Sequence, residues 1–175
     1  MLSALEDEAH IIWLDADVVE ISANLVQTMI TQSTSHPHAG IITAACHQNK
    51  MENYDKNAWK VNSPALMDII PDSARPAAVR DLVKRRYFVP DLYSQAPDET
   101  LIQLDSVGGT ILYIRSELIR QGVSFPHFNI VGTTWSQRGW IGVETEGICY
   151  AAKDLKGGGC YALGGKHHVR HTDWG

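Results

Sequence analysis

Two aspartates stand one residue apart directly after a short apolar run, in the sequence Trp13-Leu-Asp-Ala-Asp17. Residues i and i+2 of an extended chain point the same way and start about 7 Å apart, so both carboxylates can face one pocket. Like charges this close need a nearby cation or hydrogen-bond donors, and Mg²⁺ and Mn²⁺ prefer oxygen ligands. The pattern is short, so a metal site and a pair of turn or capping acids both stay open.

A histidine-rich tail, Lys166-His-His-Val-Arg-His171, is the second candidate. One imidazole could complete a site built mainly from carboxylates, and a nitrogen ligand favours Mn²⁺. Taken alone, the tail is typical of a surface cluster without a role. Together with Asp15 and Asp17 it predicts an open coordination shell with room for a diphosphate, with His168 and His171 as the alternative ligands.

Two acidic motifs could also serve a site. Glu144-Thr-Glu146-Gly lies at the start of a predicted helix, where acids suit the helix dipole or could orient and deprotonate a hydroxyl. In Asp105-Ser-Val-Gly-Gly109 the glycines leave backbone room for a ligand or simply form a tight turn. Three tryptophans could stack on sugar rings or belong to the core: Trp59, Trp135 and Trp140.

The elements that would position these residues follow an α/β pattern. The pattern predicts a buried central strand over 9–14, a helix over 23–32, a buried strand over 40–45, a strand over 109–114, a helix over 144–155 and a last short strand over 160–163. The first three elements have the size of a parallel βαβ crossover. Five prolines mark 48–100 as an irregular insertion, so we expect one domain over 1–175 with a mixed sheet flanked by helices.

Composition excludes several classes of protein. The 175 residues are 44% hydrophobic and 20% charged, which is typical of a globular chain. With 15 basic and 20 acidic residues, the chain has a net charge of −5, which argues against non-specific binding of nucleic acid. Three cysteines allow at most one disulfide, and no apolar run approaches the roughly 20 residues of a membrane span. The acidic start also differs from a signal peptide.

Six motifs in order resemble glycosyltransferase family 62, the fungal mannosyltransferase subunits of the Golgi mannan polymerase complexes. They are W-L-D-A-D-V at 13–18, Y-D-K-N-A-W at 54–59, D-S-V-G-G-T at 105–110, F-P at 125–126, E-T-E-G at 144–147, and the late histidine at 171. The resemblance spans nearly the whole chain. It implies a GT-A-like fold, GDP-mannose as donor, a Mn²⁺ ion, and retaining transfer of mannose to a mannoside or N-glycan acceptor.

The resemblance also implies residue roles. Asp15 and Asp17 correspond to the D-x-D pair that holds the metal and the donor, with His171 as a further metal ligand. Catalytic or acceptor-side roles fall on Glu144, Glu146 and Asp105, and Gly109 lines the donor pocket. Related subunits in a complex and the luminal side of the Golgi membrane are the implied partners and location.

Members of this family carry a membrane anchor and nucleotide-binding βαβ units before the D-x-D strand. This chain begins shortly before that motif, so the sequence predicts that the guanine and ribose part of the donor site is missing and that turnover is low. The alternative function is a catalytically silent subunit or glycan-binding module. A metal-dependent hydrolase is less favoured, because further acid or histidine pairs at ligand spacing are lacking.

Overall fold

The computed structural model describes residues 10–49, 51–61, 71, 73–93, 96–126 and 144–173. These residues form a mixed sheet with flanking helices, which confirms the predicted α/β class. The strands are β1 His10–Leu14, β2 Val18–Ile21, β3 Ile41–His47, β4 Trp59–Val61, β5 Arg86–Phe88, β6 Leu101–Gln103, β7 Ile111–Arg115 and β8 Cys160–His171. The helices are α1 Leu25–Ser35, α2 Arg75–Lys84, α3 Val89–Tyr93, α4 Ser116–Arg120 and α5 Glu144–Ala152. Among them none is long and apolar enough to cross a membrane.

The main sheet has six strands in the order β1-β7-β3-β8-β2, with β6 pairing with β8. β3 and β8 are parallel, and β7 is antiparallel to both β1 and β3. β1 and β3 therefore run the same way, as predicted for a βαβ crossover, but β7 lies between them. The carboxyl ends of β3 and β8 lie at the same end of the sheet, and open α/β folds bind ligands at the carboxyl ends of their strands.

The prediction that residues 9–14 form a buried central strand is correct in conformation and wrong in position. Among the strands of the described residues, β1 lies at the edge of the main sheet and pairs with β7 alone. Ile12, Trp13 and Leu14 remain 37%, 39% and 43% exposed. A continuous apolar run is typical of a strand covered on both faces, but the pattern carries no information on which strands flank it.

The interior strands separate two apolar clusters, one on each face of the sheet. Alternate residues of β3 point to opposite sides, so Ile41 belongs to the cluster with Leu118 and Ile148, and Ile42 to the cluster with Leu25 and Met29. One face is thus covered by α4 and α5 and the other by α1. Because both faces are covered, the sequence of β3 is apolar apart from Thr43 and His47.

The last strand is much longer than the predicted 160–163. β8 continues to His171, with a shift in its pairing to β3 between Leu163 and His168. Gly165 has a positive φ of 79° within this irregular stretch, a backbone conformation that favours glycine. The glycines that end the strand in the sequence pattern therefore form a bulge, and pairing resumes beyond it.

The irregular insertion predicted over 48–100 contains a separate small sheet in its described part. β4 and β5 pair antiparallel, and Trp59 and Val61 are buried there against Phe88. Trp59 is therefore a core residue rather than a sugar-stacking one, whereas Trp135 and Trp140 lie outside the described residues.

One disulfide joins helix α5 to strand β8. Cys149 of α5 is bonded to Cys160 at the start of β8, 11 residues further on, and Cys46 is a buried free thiol. The bond ties α5 to the central sheet, and it is a bond that persists in oxidising compartments.

We expect the double variant Cys149→Ala/Cys160→Ala to lose about 3 kcal/mol of unfolding free energy, because an open loop of this length gains conformational freedom in the unfolded chain. Urea unfolding of both proteins, with and without a reductant, measures the loss. The reductant should shift the parent to the variant's midpoint and leave the variant unchanged. Coincident curves for parent and variant without reductant would contradict the role of the bond.

Candidate metal centre

The segment Asp15-Ala-Asp17 passes the carboxyl end of β3. The Asp15 N–H donates to the Thr110 carbonyl at 3.1 Å, which fixes one end beside β7. The Thr172 N–H donates to the Asp17 carbonyl at 3.0 Å, which fixes the other end beside β8. Because β3 lies between β7 and β8, the backbone holds both aspartates beside the carboxyl ends of the parallel strands β3 and β8.

His171, the last residue of β8, joins the two aspartates. Its Nε2 lies 2.9 Å from Asp17 Oδ1, and the imidazole is buried. One ligand atom from each of Asp15, Asp17 and His171 lies within 4.8 Å of the others. The structure thus brings together the three residues that the sequence assigns to a metal, and binding of the ion itself stays a prediction.

Hydrogen bonding determines which ring nitrogen of His171 carries the proton and which one faces the aspartates. Its Nδ1 lies 3.0 Å from the Thr172 carbonyl oxygen, and since a carbonyl only accepts, Nδ1 carries the proton. A neutral ring then points the lone pair of Nε2 at a carboxylate oxygen, which is unfavourable. The contact is favourable when the ring is protonated or when a cation is bound between the two atoms. The Tyr54 ring stacks on the imidazole with centroids 4.2 Å apart, which holds its plane.

Asp15 carries the electrostatic cost of this arrangement. Its pKa is raised, first by burial and then by the negative charges of Asp17 and Asp55. His171 and a hydrogen bond from the Trp13 side chain oppose the rise. The donor set, two carboxylates and one imidazole with excess negative charge, suits a divalent cation that accepts oxygen and nitrogen ligands.

A cavity of about 580 Å³ opens beside Asp15. Its wall combines three aromatic residues with carboxylate, amide, ammonium and hydroxyl groups. The residues are Trp13, Asp15, Tyr54, Asp55, Lys56, Asn57, Gly109, Thr110, Phe125, Glu144 and Thr145. This mixture of ring faces and converging polar groups is typical of a site for a small polar ligand.

The family model for Anp1 matches residues 1–129, well over half of the chain. The chain belongs to the Anp1 family. The mannan polymerase complex subunit mnn9 of Schizosaccharomyces pombe is 28% identical over 172 residues, which cover 93% of this chain and 46% of that protein. The subunit MNN9 of the Candida albicans mannan polymerase complex is 26% identical over 159 residues, which cover 86% of this chain and 41% of that protein. The chain thus spans less than half the length of these relatives.

This Anp1-family chain places a third carboxylate near the triad, and sequence reasoning missed it. Asp55 Oδ2 accepts bonds from the N–H and hydroxyl of Thr110 at 3.2 and 3.1 Å. A Cβ at Gly108 would collide with the same carboxylate, so a larger residue there would displace Asp55. Asp55 therefore fixes Thr110, whose carbonyl in turn holds Asp15. The signal was available, because Asp55 belongs to the motif at 54–59.

The other predicted site residues of this family member divide between the cavity and the scaffold. Glu144 and Gly109 line the cavity, and Glu144 is exposed at the first position of α5. Asp105 instead accepts a bond from the Val61 N–H at 2.8 Å. Glu146 is buried, and its Oε1 accepts bonds from Arg86 at 2.9 Å and from the Trp59 indole at 3.0 Å. The structure does not bring Asp105 or Glu146 to the cavity wall.

The choice between His168 and His171 follows from strand geometry. The two lie three positions apart on β8, so their side chains point to opposite faces. His168 Nε2 lies 3.7 Å from Glu20, and its ring contacts that of His47. Only His171 of the two joins Asp15 and Asp17 in the described part of the chain.

We expect the Asp15→Asn variant to melt at a higher temperature than the parent chain in EDTA at about pH 8. The raised pKa means that the ionised carboxylate destabilises the folded state, and the neutral amide removes this cost. As the pH falls through the raised pKa, the parent's carboxyl takes up its proton, and the two melting temperatures converge once the pH is below the unfolded-state value of 3.8. The exposed Asp154→Asn is the matched control and should melt like the parent. A lower melting temperature for Asp15→Asn at the higher pH would contradict the electrostatic account.

Mn²⁺ titration by calorimetry should show one site, which His171→Ala weakens by about tenfold or more because a nitrogen ligand is lost. His168→Ala, on the opposite face of the same strand, should bind Mn²⁺ like the parent. Equal loss in both variants, or loss in His168→Ala alone, would overturn the assignment of His171.

Proposed function

We propose that this chain carries the metal-binding part of a mannosyltransferase site of the glycosyltransferase family 62 type. The reaction is retaining transfer of mannose from GDP-mannose to a mannoside or N-glycan acceptor, with Mn²⁺ as the cation. The observation that carries the proposal is the convergence of Asp15, Asp17 and His171 beside a cavity of sugar-sized volume. The relatives support it, because both are named as subunits of mannan polymerase complexes.

The donor set fits a divalent cation, and such an ion would neutralise the charge that develops on the leaving diphosphate. Asp15, Asp17 and His171 would hold it at the sheet edge. Lys56, on the cavity wall, adds a positive charge that suits a phosphate oxygen. In the reaction the bond from the anomeric carbon to the phosphate oxygen breaks, and GDP leaves with the bonding electron pair. The acceptor hydroxyl oxygen bonds to the anomeric carbon, and its proton passes to the departing phosphate.

Glu144 is the carboxylate that we assign to the acceptor. It stands at the first position of α5, exposed on the wall of the same cavity. From there it can accept a hydrogen bond from the acceptor hydroxyl and orient it. Glu146, two residues later, points into the scaffold and pairs with Arg86, so the proposal gives it a structural role.

The proposal extends to fold and location. A mixed sheet with an acidic pair at the carboxyl edge of its parallel strands supports a GT-A-like arrangement. The disulfide between Cys149 and Cys160 supports an oxidising compartment such as the Golgi lumen. Related mannosyltransferase subunits are the proposed protein partners.

A second function is favoured by the names of the relatives, because both are subunits of a mannan polymerase complex. As a subunit, this chain could bind a mannoside and a partner without catalysing transfer. Activity and binding must therefore be measured separately.

We expect transfer of radiolabelled mannose from GDP-mannose to mannobiose to require Mn²⁺ and to fall below detection in Asp17→Asn. Glu144→Gln should lower kcat by about 10- to 100-fold, since the acceptor hydroxyl loses its orienting carboxylate. Glu117→Gln, an exposed acid in the first turn of α4, is the matched control and should leave kcat unchanged.

Transfer that is equal in EDTA and Mn²⁺ would overturn the role of the metal centre. Absence of transfer by the parent chain, together with retained Mn²⁺ and mannobiose binding, would overturn the enzymatic proposal and favour the glycan-binding subunit.

A further inference from the structure

Two aromatic rings form part of the cavity wall without a role in the metal centre. Trp13 and Phe125 have ring centroids 5.1 Å apart and planes tilted by 53°, and both line the cavity. Trp13 is 39% exposed, whereas Phe125 packs against the core cluster beneath α4 and α5. One ring is therefore anchored, and the other presents a face to the cavity.

The position of Trp13 is set by both backbone and side chain. Its backbone pairs with Leu112 in the antiparallel ladder of β1 and β7. Its side chain packs against the Phe125 ring, with the two centroids 5.1 Å apart. An indole held by its strand and by a second ring is pre-organised, so a ligand that stacks on it has little of the protein to order.

The polar groups that line the cavity with the two rings include both hydrogen-bond acceptors and donors, with Lys56 among the donors. Asp15 and Glu144 offer carboxylate oxygens, and the Asn57 amide offers both an acceptor and donors. A hexopyranose ring matches this arrangement, because its axial C–H bonds form an apolar face and its rim carries hydroxyl donors. Aromatic faces are negatively polarised, so they attract such C–H groups. Two aromatic faces tilted to each other suit a puckered sugar ring better than they suit a flat nucleobase.

We propose that Trp13 and Phe125 form a hexopyranose-binding subsite beside the metal centre. The assignment of mannose as the sugar rests on the proposed function. Trp13 and Asp15 line the same cavity, so a sugar stacked on the indole would lie next to the diphosphate position. The sugar could be the acceptor mannoside or the mannose of the donor, since both present the same ring chemistry.

The test uses the 175-residue chain and measures binding without catalysis. Mannobiose is titrated in EDTA and followed by saturation-transfer NMR, which reports contact between aromatic protons and sugar protons. Trp13→Ala and Phe125→Ala should weaken binding by about tenfold or more, while Trp13→Phe, which keeps a ring, should retain most of it. Tyr87→Ala is the matched control, because Tyr87 is 43% exposed on β5, away from the cavity. Thermal melts check that every variant folds.

A second titration identifies the source of the sugar. In Mn²⁺, GDP-mannose and GDP are compared on the parent and on Trp13→Ala. A tenfold loss confined to GDP-mannose assigns the subsite to the donor, and a loss confined to mannobiose assigns it to the acceptor. Unchanged affinity of folded Trp13→Ala and Phe125→Ala for both sugars would overturn the subsite.

Failure of the subsite and failure of the proposed function give different results. If mannobiose binding depends on Trp13 but the parent transfers no mannose, the subsite stands and the enzymatic proposal falls. If transfer proceeds with an unchanged KM in Trp13→Ala, the enzymatic proposal stands and the subsite falls.

Discussion

The repulsion between two carboxylates held side by side is the interaction on which the site depends. The backbone of Asp15 is hydrogen-bonded to Thr110, just before β7, and that of Asp17 to Thr172, just after β8, so the two residues are held on either side of β3. The sheet therefore fixes negative charge at the carboxyl end of its central parallel pair. The pKa of Asp15 is raised first by burial and then by the charges of Asp17 and Asp55, and His171 opposes this rise. A bound cation would offset the same cost.

The E-T-E-G motif shows how one short helix serves both the scaffold and the cavity. Residues two apart on a helix point to different sides, since each residue turns the chain by about 100°. Glu144 consequently faces the cavity, whereas Glu146 is buried against Arg86 and Trp59. The internal acid links α5 to the small β4-β5 sheet, and the disulfide links α5 to β8. The cavity wall is thus held from two sides.

The sequence predicted elements whose signal is local. The apolar run before Arg115 is a buried strand, and the acids at 144 and 146 begin a helix, because strand and helix periodicity depend on neighbouring residues. The edge position of β1, the short strand β2 and the continuation of β8 to His171 depend on pairing with distant strands. Alternation could not reveal them, since register is set by partners that the local pattern does not contain.

The site was predicted to a similar extent. Asp15 and Asp17 form a short pattern that left turn acids open as an alternative, and the choice of His171 required the face of a strand that the pattern had ended too early. Asp55 lies in the motif at 54–59, but its role was missed because its carboxylate acts on Thr110, 55 residues away. In the sequence, Trp13 looked like one of the buried apolar residues of a strand, although its side chain lines the cavity.

Anomalous diffraction from crystals of this chain soaked in Mn²⁺ tests the central claim most directly. The account predicts a single strong peak about 2.0–2.5 Å from one oxygen of Asp15, one oxygen of Asp17 and Nε2 of His171. Loss of that peak in Asp17→Asn crystals would agree with it. A peak at His47 and His168 instead, with none at the triad in well-diffracting crystals, would contradict the assignment of the metal centre.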